Sequence, residues 1–265
     1  MEKSDILIAV KTYPEISNKY TETVCTAGII ADTKRLVRLY PIRFRYLEGE
    51  QQFFKYQWIK AHLRKALSDP RPESYHIDSE SIEVGDIIPS GKNWDERYSW
   101  IINDYNVFTS VEALRVAQKT VGTSLGIVKP ESVERVIIQP RDNQEVEQAI
   151  AKKDSIVKQL DMFETKKDLY VLPVKIMIEF SCHDPDCSGH KMSVLDWEFG
   201  QLYRKLERRK DWQAKIEAKI MNVICAETRD TYLFLGNMAA HPQTFCVLGF
   251  FWPPKSGPRQ MGLFV

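Results

Sequence analysis

The sequence predicts an α+β fold: a small N-terminal β-barrel, a mostly helical middle that acts as a connector, and an α+β C-terminal region built around a Cys/His metal site. Three observations carry this. Residues 5–90 break into short apolar segments separated by turn signals, with no helical period between them. Residues 93–160 place apolar side chains at spacings of three and four. From residue 174 strict alternation returns and runs into two cysteines and a histidine. The expected boundaries are 1–92 for the barrel, 93–168 for the middle and connector, and 169–265 for the C-terminal region.

The barrel segments are "ILIAV", "TVCTAGII", "LVRLYPIRFRY", "FFKYQWIKAHL" and "SIEVGDIIP", parted by Pro14, "ADTK", "EGEQ" and "SDPRPES". Short strands at this spacing suit a small barrel or curled sheet. In the middle, "NWDERYSWIINDY" and "TSVEALRVAQKTV" read as helices, the second capped at Thr109 or Ser110. "SLGIVKPESVERVIIQP" returns to a strand that ends at Pro140, and "DNQEVEQAIAKKDSIVKQL" is a polar helix, so residues 141–168 read as an exposed connector. Val174, Ile176, Ile178 and Phe180 alternate as a half-buried strand requires. A helix opened by Ser193, with Asp196 three residues on as a capping box, is expected next. A helix around 211–223 and the strands "TYLFLGN" and "TFCVLGFFW" finish the chain, which shows no internal repeat.

With 37 Lys and Arg against 36 Asp and Glu, the molecule as a whole has no pull on polyanions, and a nucleic-acid surface must come from local clustering. The first apolar run, Ile6 to Val10, is too short for a signal-peptide core, and a cytoplasmic location with no membrane contact is expected. Five cysteines, an odd number in such a compartment, argue for metal ligation or buried thiols over a disulfide framework.

In "SCHDPDCSGHKM", Asp184 and Pro185 favour a turn and Gly189 frees the backbone, so Cys182, Cys187 and His190 can converge on one point. Zinc suits such ligands. A tetrahedral structural site needs a fourth, with His183, Cys225, His241 and Cys246 as candidates; His241, beside the last strand, is the residue chosen. The bland reading is a thiol pair beside a surface histidine. A catalytic zinc would need a base such as Asp196 or Glu198, although acids at a helix start more often serve capping and the helix dipole.

Residues 34–71 hold ten Lys and Arg against three acids, interleaved with aromatic rings. Cations that track a backbone and rings that stack on bases are how barrel folds hold single strands. Arg38, Tyr40, Arg43, Arg45, Lys60 and Arg64 are the expected contacts with DNA or RNA, while Phe53, Phe54 and Trp58 are assigned to the barrel interior. The run Arg204, Lys205, Arg208, Arg209 and Lys210 is assigned to the C-terminal dipole of its helix.

Two resemblances follow from these residues. "ISNKYTETVCTAGI" before an Arg-rich strand resembles the opening of bacterial dual-OB modules over roughly the first 90 residues, which implies an OB-like barrel. Gln159, Leu160, Asp161, Met162 and Phe163 resemble the short peptides that dock on the bacterial sliding clamp, which implies Gln159, Leu160, Met162 and Phe163 as partner-binding residues. The combined expectation is a zinc-stabilised nucleic-acid-binding accessory protein of bacterial replication, repair or defence. Two alternatives stay open. One is a metal-dependent nuclease with carboxylates among Asp69, Glu73, Glu179, Asp196 and Glu198, although these form no nuclease motif. The other is a protein-interaction module that does not touch nucleic acid. No Gly-rich phosphate loop, dinucleotide fingerprint or serine nucleophile elbow is present.

Overall fold

The computed structural model describes residues 3–17, 21–91, 94–159 and 170–255. In chain order the elements are β1 (Lys3–Lys11), β2 (Glu15–Ser17), β3 (Thr21–Ile30), β4 (Leu36–Ile42), β5 (Gln57–Lys65), β6 (Ser74–Ile77), β7 (Glu83–Ile87), α1 (Trp94–Ile101), β8 (Val107–Phe108) and α2 (Val111–Val121). Then follow β9 (Leu125–Val128), β10 (Pro130–Pro140), α3 (Asn143–Gln159), β11 (Val174–Cys182), β12 (His190–Ser193), α4 (Trp197–Leu206), α5 (Trp212–Ala218) running into a π-helical turn (Lys219–Ile224), β13 (Tyr232–Met238) and β14 (His241–Phe251).

Strands β1-β3-β4-β6-β5 pair in that order and β5 returns to β1, which closes a five-stranded barrel; β2 and β7 are additions paired with β3 and β5. Every pairing around the closed path is antiparallel except β4 with β6. Ile6, Ile8, Val24, Val37, Leu39 and Ile59 fill the interior, and Phe44, Leu47 and Phe53 from the β4–β5 connection plug one end. The expected interior role thus holds for Phe53 alone of its three. Phe54 is 65% exposed. Trp58 stands half-buried with its ring centroid 4.9 Å from that of Trp100 in α1.

The outer face of β1, β3 and β4 is buried as well. Val10, Ala27, Ile29 and Leu36 pack with Leu125, Ile127, Phe234, Leu248 and Phe251 of the C-terminal strands. This double burial explains why "ILIAV" is a continuous apolar run and does not alternate. β8, β9, β13 and β14 form the sheet that covers the barrel, and β10, β11 and β12 form a separate antiparallel sheet. A bridge from Val194 to Val247 joins the two. The strand expected over "SLGIVKPESVERVIIQP" within the mostly helical middle is two strands, β9 in the covering sheet and β10, ending at Pro140, in the antiparallel one.

Two local expectations are corrected. Ser193 ends β12, and α4 is capped instead by Asp196, whose Oδ1 accepts from the Glu198 amide at 2.7 Å. The capping box failed because Ser193 is still needed in the strand, opposite Met177. Gln159 ends α3, and Leu160, Met162 and Phe163 lie outside the described residues, as does Asp161. No helix among the described residues is long and apolar enough to cross a membrane.

Candidate metal centre and cationic cleft

Ser110 caps α2 by accepting from the Ala113 amide at 2.9 Å, and its hydroxyl donates to Asp184 Oδ2 at 2.7 Å. One serine thus ties the start of α2 to the Cys/His loop. The loop itself is a tight turn, with the Asp184 amide donating to the Cys182 carbonyl and the Cys187 amide to that of Asp184. Gly189 at φ +88° then turns the chain into β12.

The result is a cluster of Glu112, Cys182, Cys187 and His190 whose donor atoms lie within 4.8 Å of one another. His190 Nε2 is 3.3 Å from each sulfur and 3.3 Å from Glu112 Oε1, and Cys182 Sγ is 3.1 Å from Glu112 Oε2. Donors bonded at about 2.0–2.3 Å around one tetrahedral ion stand roughly 3.3–3.8 Å apart, so this spacing suits a shared cation. Without one, burial, with help from Glu112 and Cys187, pushes the Cys182 thiol up to about 12. Burial holds the His190 imidazole below its usual range. A divalent cation would offset the cost of a Cys182 thiolate and would bind the neutral His190 imidazole that burial already favours.

Three of the four sequence-assigned ligands meet here. The fourth, His241, does not: it is exposed at the start of β14, and Glu112 occupies the place it was expected to fill. Cys225 and Cys246 are also outside the cluster.

A second concentration of chemistry lies between the plugged end of the barrel and α4. Lys11, Lys55, Lys205 and Lys219, with Asp196, Glu198, Phe44, Phe53, Phe54 and Trp197, line a cleft of about 460 Å³. Lys11 Nζ donates to the Phe53 carbonyl at 2.8 Å and sits 3.7 Å from the centroid of the Phe44 ring. Burial lowers its pKa to about 8, against the opposing pull of Glu198 and Asp196. Lys55 Nζ donates to the Phe250 carbonyl at 2.8 Å and is 4.0 Å from Asp196 Oδ2. Burial raises the Asp196 pKa, with Lys55 opposing.

The two halves of the chain are joined by matched polar bolts. Arg38, 3% exposed, donates to the Ser124 carbonyl at 3.1 Å and to Cys25 Sγ at 3.2 Å. Glu73 accepts from the Ser124 amide at 3.0 Å and from its hydroxyl at 2.7 Å, and Arg71 donates to the Asn237 carbonyl at 3.0 Å. Arg38 is therefore a joint within the protein and not a surface contact. Its charge could face inward because carbonyls of the other half receive it.

A family model described as a domain of unknown function, DUF8757, matches residues 107–265. The chain belongs to that family. A second domain of unknown function, DUF8758, matches residues 2–103. No curated protein matches. A solved structure of a murine DNA-binding protein bound with double-stranded DNA overlaps 98% of this chain and 99% of its own, at 10% identity and a TM-score of 0.31, too low to carry its fold or function across. The DUF8757 part holds the whole metal cluster, and the DUF8758 part holds the barrel. Between the two matches, Asn106 accepts from the Leu36 amide at 2.9 Å and donates to the Lys34 carbonyl at 2.8 Å, stitching the junction to the β3–β4 turn. The cleft draws Lys11 and Lys55 from the DUF8758 part and Asp196 and Trp197 from DUF8757.

The remaining sequence-assigned contacts spread over the barrel. Lys60 and Arg64 are exposed on the outer face of β5, with Arg64 paired in register with His76 of β6. Lys60 is 3.9 Å from Asp5 Oδ2, so part of its charge is matched. Half-buried Arg43 stacks 4.4 Å from the Tyr46 centroid; Tyr40 and Arg45 are half-buried, and the Tyr40 carbonyl meets His76 Nδ1 at 3.0 Å. Of the nuclease candidates only Asp196 and Glu198 share a site, the cleft. Asp69 pairs with Arg71, Glu73 holds Ser124, Glu179 pairs with Arg135, and Asp196 caps α4. Glu112, Lys11, Lys55 and Phe54 are the site residues that sequence reasoning missed.

Proposed function

We propose that this protein is a zinc-stapled nucleic-acid-binding protein that holds single strands along the outer face of β5 and β6. The strand order β1-β3-β4-β6-β5, with its single parallel pair, is the order of OB barrels, a fold used for oligonucleotides. The observation that carries the reading is the outward stripe of Lys60, His62 and Arg64 on β5, with Arg64 in register with His76 on β6. OB barrels bind mainly over their second and third strands. Here those are β3 and β4, and the covering sheet buries much of their outer face. Binding is therefore displaced to the neighbouring open strands.

In this reading the ion at Glu112, Cys182, Cys187 and His190 is zinc and structural. Two soft thiolates, an imidazole and a carboxylate fill four positions, which leaves none open for water.

The test is fluorescence anisotropy of a labelled oligothymidylate, titrated between about 50 and 200 mM salt. Binding should be largely independent of sequence and weaken steeply with salt. The Lys60→Ala/Arg64→Ala variant should lower the salt slope by about one for each phosphate no longer neutralised. Absence of binding at the lowest salt removes the proposal.

A further inference from the structure

We infer that the cleft between the barrel and α4 is a binding site for the phosphate-and-base unit of a nucleotide. It is separate from the β5–β6 stripe, and it stands whether or not the stripe holds a strand.

Four lysines line the cleft against two carboxylates, Asp196 and Glu198. Asp196 is already engaged as the cap of α4. Lys11 makes no ion pair among the described residues; its contacts are the Phe53 carbonyl and the Phe44, Phe53 and Trp197 rings. An ammonium has three N–H donors, and Lys11 and Lys55 each hydrogen-bond one carbonyl among the described residues. Lys11, an amine with donors to spare and no ion pair among the described residues, is costly to bury, and such an arrangement is characteristic of ligand sites, whereas Lys55 on the same cleft is held charged by Asp196 at 4.0 Å. The lowered pKa of Lys11 agrees with that cost.

The walls supply the second half of the ligand. Phe54 is 65% exposed at the rim although its neighbour Phe53 is buried, and Trp197 faces the same space. Flat rings beside cations suit a base next to its phosphate. Gln52 and Gln201 offer amide donors and acceptors for a base edge. The volume of about 460 Å³ lies within the range of small-ligand pockets, about 300–1,000 Å³.

The backbone is also set for the task. Tyr56, next to Lys55, is held at φ +62°, a conformation costly for a side chain of its size. Its amide donates to the Ile8 carbonyl at 2.7 Å and its carbonyl accepts from Ile88 at 2.9 Å. These bonds hold the strained residue that places Lys55 over the cleft.

The experiment is calorimetric titration of the full chain with AMP, adenosine and inorganic phosphate, and with oligothymidylates carrying a 5′-phosphate or a 5′-hydroxyl. A phosphorylated nucleotide unit should bind saturably and at least roughly tenfold more tightly than adenosine, because charge-assisted hydrogen bonds carry the difference. Lys11→Met and Lys55→Met should each weaken it by about tenfold, while Lys60→Ala/Arg64→Ala should leave the binding of AMP unchanged. Preference for AMP assigns a free nucleotide, preference for the phosphorylated oligonucleotide assigns a chain end, and equal binding assigns the terminal unit common to both; all three support the site. If the lysine variants do not fold, exposed Phe54→Ala replaces them. Failure of both AMP and phosphorylated oligonucleotide to bind, or affinity indifferent to these substitutions in folded protein, overturns the inference.

Discussion

Lys11 is the side chain whose placement costs the fold most plainly. Its folded-state pKa falls from 10.5 to about 8, mainly through burial. Above about 10.5 the amine is neutral in both states and contributes nothing. As pH falls from there to 8, the unfolded chain takes up a proton that the folded chain resists, so stability drops by up to about 3 kcal/mol and stays lower below 8. Lys11→Met, which keeps the packed stem, should therefore raise the melting temperature at about pH 7 and lose that advantage near pH 10.5. A lower melting temperature at neutral pH would contradict this account. Arg38 makes the opposite prediction. Arg38→Met removes donors to the Ser124 carbonyl and should cost about 2–4 kcal/mol in chemical denaturation. Oligonucleotide affinity of the folded fraction should not change. These two residues also show what single positions disclose. Cys182, Cys187 and His190 were legible because one short loop delivers all three. Glu112 was not, since it reaches them from 70 positions away in sequence. The surplus of positive charge in residues 34–71 was visible, but not that Arg38 turns inward to partners in the other half of the chain.

Among the elements, α4 and β14 set the geometry around the cleft. A Cβ added at Gly249 in β14 would lie 2.6 Å from Val10 Cγ1 in β1 and 2.8 Å from Asp196 Oδ2. A Cβ on Gly200 in α4 would overlap the Tyr13 ring. Barrel, covering sheet and helix thus meet where only glycine fits. Gly249→Ala should destabilise the protein by about 1–3 kcal/mol through overpacking, and denaturant midpoints check this. An unchanged midpoint would mean that the junction yields more easily than these distances imply. At this scale apolar runs found β1, β3, β4 and β5 and periodicity found α2 and β11, but β6 (Ser74–Ile77), which closes the barrel, was missed, and the expected strand "SIEVGDIIP" is β7, an addition outside the closed path. Local pattern also misplaced the start of α4, because a serine at the end of a strand and an aspartate at a helix cap carry the same local signal. The β4–β5 connection was also opaque: Phe53 and Phe54 read alike, and only the barrel end decides that one is a plug and the other a rim.

At the scale of the molecule, the covering sheet decides where ligands can go. It occupies the outer face of β1, β3 and β4, leaving the β5–β6 stripe and the cleft as the open cationic regions of the barrel. A closed barrel was legible from strand spacing, but which of its faces stays open depends on pairings between β9, β13 and β14 that no local pattern announces. The Glu112, Cys182, Cys187 and His190 cluster joins the first turn of α2 to the β11–β12 turn, and α2 packs into the C-terminal core through Val111 and Leu114. If the proposed zinc is bound there, its removal should be felt well beyond the loop. Cys182→Ser or exhaustive chelation should lower the melting temperature sharply, given the ~10–16 kcal/mol that structural zinc supplies in small peptides. The most direct measurement is native mass spectrometry of the purified chain with a 5′-hydroxyl oligothymidylate, which lacks the terminal phosphate the cleft would take and so reads metal and the β5–β6 strand site in one spectrum. The account predicts one zinc and one oligonucleotide per chain, with Cys182→Ser losing the zinc and Lys60→Ala/Arg64→Ala losing strand occupancy. A metal-free chain that carries no oligonucleotide would contradict it.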